Sequence, residues 1–149
     1  MRHPLVTVPM LVALAIPLHA QVPPASPADV VTAFHAALHG GNGDAALALL
    51  DSAVIVYESG GVEASRDEYR AHHLGADMQF SAGVTREVTS QRTVMSGEVA
   101  WVLTESRMLG TFGEREIDVL GTETMLLRRT VGGWRIVHIH WSSGRARGG

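Results

Sequence analysis

The residues able to do chemistry fall in three places. The first is the C-terminal run Trp134-Arg135-Ile136-Val137-His138-Ile139-His140-Trp141. Side chains on a strand alternate, so His138 and His140 share one face and Val137, Ile139 and Trp141 the other. Two imidazoles so spaced can hold a metal ion together, or present a donor and an acceptor to a ligand. The alternative is that each is hydrogen-bonded within the sheet layer. The second place is Tyr57-Glu58, which ends an apolar run before Ser59-Gly60-Gly61. A carboxylate there is a base or ligand at a pocket mouth, or a solvated strand end. The third is Tyr69, His72 and His73, where Tyr69 shares a helix face with either histidine. Adjacent histidines diverge by about 100°, so only one can join a site. His73 is the expected one, a turn after Tyr69, with Asp77 a further turn on to orient its ring.

Glu58, His73, His138 and His140 together offer oxygen and imidazole ligands without thiolate, a set suited to a divalent metal such as zinc, copper, nickel or iron. The same groups can move a proton beside a carbonyl: His140 or Glu58 takes it, while Tyr57 or Tyr69 donates to the developing oxyanion. Both chemistries need the rings to converge on one hollow. A tight hairpin at Gly132-Gly133 would put Glu123 opposite His140 and Met125 opposite His138. A slip of one residue would bring Thr124 there and remove the carboxylate. Arg86, Arg92, Arg107, Arg128 and Arg129 read as outward, solvated strand positions, and Trp101 and Trp141 as core or interface residues.

Composition narrows the partners. The 149-residue chain has a formal charge of -3, and its 12 basic residues are all arginine, scattered along the sequence. That leaves no electrostatic footprint for nucleic acid and no polybasic patch for anionic lipid. The absence of cysteine excludes disulfides, thiolate metal centres and a cysteine nucleophile. A small molecule or a metal ion is the expected partner. Residues 1–20 combine Arg2, an apolar run from Leu5 to Leu18 and the ending Leu18-His19-Ala20, the pattern of a secretory signal peptide. Pro9 and Pro17 break the run, and it falls short of the roughly 20 apolar residues of a membrane span. The mature protein is expected to be periplasmic or secreted, and free of the membrane after cleavage. Residues 21–26 read as a proline-rich linker, 27–143 as one domain and 144–149 as a flexible tail.

The elements that must position these residues are helices first, strands afterwards. Ser26-Pro27-Ala28-Asp29 starts a helix, which Gly40-Gly41 ends. A short helix is expected from Asp44 to Leu50, then a strand over 53–58. Ser65-Arg66-Asp67-Glu68 caps a helix that runs through Leu74. From Val84 the period becomes two, with strands over 84–95, 99–109, 114–129 and 134–142 joined by loops short enough to force antiparallel pairing. This is an α+β domain with helices packed on one face of a curved antiparallel sheet.

The order of elements, with Tyr57-Glu58-Ser59-Gly60-Gly61 and the closing Gly133-Trp134-Arg135-Ile136-Val137-His138-Ile139-His140-Trp141-Ser142-Ser143, resembles the nuclear transport factor 2-like superfamily. Within it the chain looks most like small SnoaL-like domains. The closing segment, with Gly121-Thr122-Glu123-Thr124, is also similar to the association domain of calcium/calmodulin-dependent kinases. The resemblance implies a cone-shaped fold in which a strongly bent sheet wraps the helices around an apolar pocket. It also implies a homodimer formed through the sheet's outer face. Isomerases of this kind place an acidic base and hydrogen-bond donors in the cone, whereas kinase association domains line it with arginine, where this chain has Met125. The leading function is therefore an exported binding module that holds a small ligand or metal through His and Glu groups. The alternatives are an acid–base isomerase, cyclase or hydratase using the same pocket, and an oligomerisation scaffold.

Overall fold

The computed structural model describes residues 26–146, so the expected signal peptide and linker residues 21–25 lie outside the described residues. Helix α1 (Pro27–His39) starts as its sequence dictates. The Ser26 hydroxyl accepts the Asp29 N–H, and the Asp29 carboxylate accepts the Ser26 N–H, satisfying two donors that helix geometry leaves orphaned. Its Val30, Val31, Phe34 and Leu38 are buried against the sheet. Helix α2 (Gly43–Ala48) is capped by Asn42 and ends earlier than expected, because Leu50 already belongs to strand β1 (Leu50–Glu58). Ser59 and Gly60, both with positive φ, form a two-residue turn into the short strand β2 (Gly61–Glu63).

Helix α3 (Arg66–His72) opens on Ser65, whose hydroxyl accepts the Glu68 N–H. It stops at His73, and a new helix, α4 (Leu74–Gly83), follows at once. The sequence pattern gave no sign of α4, since Gly75 and Gly83 bound a segment whose apolar residues keep no single face. Strands β3 (Val84–Ser96), β4 (Val99–Phe112), β5 (Arg115–Thr130) and β6 (Gly133–Arg145) complete a six-stranded sheet in the order β2-β1-β6-β5-β4-β3. Every pair is antiparallel except β1 with β6. The domain thus has the expected α+β architecture, with helices held in the concavity of a curled, unclosed sheet. Gly144 and Arg145, expected in a flexible tail, extend β6, and the Ala146 N–H reaches the Asp118 carbonyl.

Two local features position the site. The backbone of β4 passes the end of α4 at Gly110 (φ +154°), where a Cβ would strike the Gly83 carbonyl. The second is a bulge. From the hairpin, Thr130 faces Gly133 and Leu127 faces Ile136, as a tight turn requires, but one extra residue then enters β6, so Leu126 faces His138, Thr124 faces His140 and Glu123 faces Trp141. A single inserted residue exchanges the two faces of everything beyond it. Trp134 and Ile136 point inward before the bulge, and Ile139 and Trp141 after it.

Candidate functional site

A cavity of about 640 Å³ lies between α1, α4 and the concave face of the sheet, within the size range of small-molecule sites. Leu38, Phe80, Val84, Met108 and Trp141 supply its apolar lining; His35, His39, Glu58, Asp77, Arg86 and Glu123 supply its ionisable groups.

Glu123 is the polar centre of one wall and only 6% exposed. One of its oxygens, Oε2, accepts the His35 Nε2–H at 2.7 Å and the Trp141 Nε1–H at 2.7 Å; Oε1 accepts from Arg86 at 3.4 Å. Burial pushes its pKa up, but His35, Arg86 and Trp141 outweigh burial and hold it below the usual carboxylate range. An ionised carboxylate can only accept, so His35 carries its proton on Nε2 toward Glu123. Its Nδ1 has no hydrogen-bond partner among the described residues, and the ring lines the cavity. Phe34, whose ring stacks on Trp141 at 6.4 Å, packs beneath this wall.

A second cluster sits where β1, β2 and the α3–α4 junction meet. The break at His73 turns its ring between two carboxylates: Nε2 lies 3.0 Å from Glu58 Oε2 and Nδ1 3.4 Å from Glu63 Oε1. Burial lowers the His73 pKa, but Asp77, Glu63 and Glu58 together raise it above the ordinary histidine value. Glu63 also faces His72 Nδ1 at 3.2 Å, and these two histidines keep its carboxyl low against the effect of burial. The fully buried Tyr69 donates its hydroxyl to Asp77 Oδ2 at 2.7 Å. Burial and the Asp77 charge hold that phenol neutral, while burial, aided by Glu58, pushes the Asp77 carboxyl up to about 6.

The structure brings together half of the expected set. Glu58, His73 and Tyr69 converge with Asp77: Tyr69, His73 and Asp77 follow one another at the expected helical spacing, and Glu58 joins them from the end of β1. Tyr57, His138 and His140 do not join them, which corrects the expectation of a metal set of Glu58, His73, His138 and His140, and of Tyr57 and His140 as donor and base in the same pocket. The bulge places both histidines on the convex face, where Tyr57 stands 5.1 Å from the His138 ring and 6.3 Å from the His140 ring. There the His138 Nδ1–H donates to the Ile55 carbonyl at 2.9 Å. Glu123 does enter the cavity, but opposite Trp141. Arg86 is not a solvated outward residue: it points into the cavity. No local pattern pairs His35 with Glu123, which lie 88 residues apart. One signal was present. Apolar residues at 134, 136, 139 and 141 change phase once, which marks a bulge.

Solved structures with this fold are numerous. A candidate ketosteroid isomerase from Shewanella frigidimarina is 36% identical, with a TM-score of 0.74 over 76% of this chain and 92% of that one. A candidate dehydratase of the nuclear transport factor 2-like family from Streptomyces avermitilis is 23% identical, with a TM-score of 0.64 over 78% and 92%. The CaMKII hub of S. rosetta, 19% identical, aligns at 0.66 over 81% and 99%, a likeness of fold. Among curated proteins none matches the chain. A family model described as the SnoaL-like domain matches residues 28–146, and the chain belongs to that family.

Proposed function

We propose that the cavity binds a small, largely apolar molecule bearing a carbonyl and transfers a proton at the adjacent carbon, the step shared by isomerases and dehydratases. The observation that carries this is the His35–Glu123 pair. A buried carboxylate holds the imidazole through Nε2 and leaves Nδ1, the other nitrogen of a ring that lines the cavity, without a partner among the described residues. His35 takes the proton from carbon and returns it to the isomerised product or to a departing hydroxyl. Arg86 uses one donor on Glu123 and has others to neutralise the enolate oxygen. The likeness to a candidate ketosteroid isomerase at 36% identity supports the class of reaction.

Deuterium uptake tests this directly. Small enolisable ketones and β-hydroxy ketones incubated with the protein in heavy water should exchange their α-protons. His35→Ala should lower that rate by about 10²–10⁴-fold, the usual worth of a positioned base. Ligands that raise the melting temperature yet exchange no protons above buffer would return the cavity to plain binding.

Export and self-association belong to the same proposal. Residues 1–20 would be removed on secretion, which the N-terminal mass of the exported protein checks. The convex face carries Ile55, Tyr57 and Trp101, all more than a third exposed, and such apolar surface favours a second copy. Light scattering should give a dimer that Trp101→Glu reduces to a monomer.

A further inference from the structure

We infer that Glu58, His73 and Asp77 form a site for one divalent transition-metal ion in the cavity wall, beside the α3–α4 junction. This goes beyond the proton-transfer reading and does not depend on it. One ligand atom from each of the three residues lies within 4.8 Å of the other two. Small side-chain rotations bring such atoms onto an ion at ligand distances of about 2.0–2.2 Å.

Residues outside the trio hold the ligands from behind. Glu63, 9% exposed, faces His73 Nδ1. That contact keeps a proton on Nδ1 and turns Nε2 toward Glu58, the carboxylate–imidazole arrangement that orients metal-binding histidines. On the other side the Tyr69 hydroxyl occupies Asp77 Oδ2 and leaves the second oxygen of that carboxylate for the ion. Three carboxylates, Glu58, Glu63 and Asp77, surround the His73 imidazole, and only Glu63 has a second imidazole, His72, beside it; a divalent ion offsets the negative charge left on Glu58 and Asp77. One imidazole nitrogen and two carboxylate oxygens suit zinc, iron(II), nickel or manganese. Positions not taken by protein ligands face the cavity, since both Glu58 and Asp77 line it.

Zinc binding to the full chain provides the test. Protein stripped with a chelator and dialysed against zinc should take up one ion per chain, counted by elemental analysis. His73→Ala and Asp77→Asn should abolish uptake while keeping the wild-type circular dichroism spectrum. Glu63→Gln should keep the stoichiometry and weaken affinity about 10–100-fold, because it acts through His73. The convex-face pair His138 and His140 is the rival site, so the double variant His138→Ala, His140→Ala should still bind one ion. If that double variant loses the zinc while His73→Ala retains it, or if the wild-type chain binds none, the inference is overturned. Proton exchange in heavy water is scored separately, so zinc uptake without exchange, or exchange without zinc, identifies which of the two readings fails.

Discussion

The concave and convex sides of the same sheet meet similar side chains with opposite fates. On the concave side, His35 of α1 and His73 at the α3–α4 junction are each locked to carboxylates of the sheet, Glu123 in one case and Glu58 with Glu63 in the other. On the convex face, His138 and His140 stand beside Tyr57, and among the described residues neither meets a carboxylate. Residue type alone does not make a site. Around the buried Glu123, low dielectric strengthens each contact and makes an unpaired group costly. Water on the convex face weakens both effects.

The contrast can be broken most sharply at Glu123. Truncation by Glu123→Ala strands His35, Arg86 and Trp141 together, and breaking a buried pair costs about 3–5 kcal/mol. Urea denaturation should show that loss, and a change below about 1 kcal/mol, the usual worth of a surface pair, would mean the wall is wet.

Acid sharpens the same comparison. Because the folded protein holds the Glu123 carboxyl below its ordinary value, its contribution to stability is full above the unfolded glutamate pKa of about 4.3. It is lost as pH falls through the folded value. The melting temperature should therefore decline on acidification below about pH 4.3, and Glu123→Gln should remove part of that decline. An acid limb identical in the variant would refute the assignment.

Tyr69→Phe removes one neutral donor from Asp77 without opening a cavity and should cost about 1 kcal/mol. It should also raise the Asp77 pKa further, since the hydroxyl now opposes that rise; carbon-detected titration of the Asp77 carboxyl would read it. Smallest of all, His138→Ala and His140→Ala should leave proton exchange and zinc uptake in the cavity unchanged, for both lie across the sheet from it. A tenfold loss of exchange in either would place the convex face in the chemistry after all.

Much of the fold was legible locally. Ser26 with Asp29 and Ser65 with Glu68 marked two helix starts, and the glycines between alternating runs marked the β3–β6 hairpins. Helix α4 was not legible, because its segment carries no apolar stripe and is held by packing on α1 and against the end of β4. In the site, Tyr69, His73 and Asp77 were readable from one another because they follow helical spacing. Glu58 was readable as the end of an apolar strand. Their meeting with Glu63 required the Ser59-Gly60 turn to fold β2 back along β1.

The sequence by itself determined the element types other than α4 and β2, the capped helix starts and the shared face of His138 with His140, since each depends on neighbours a few residues away. Only the tertiary structure decided which face that was and which carboxylate met which ring. One extra residue in β6 reverses inside and outside, and a contact across 88 residues is set by how the sheet curls around α1, not by any local preference.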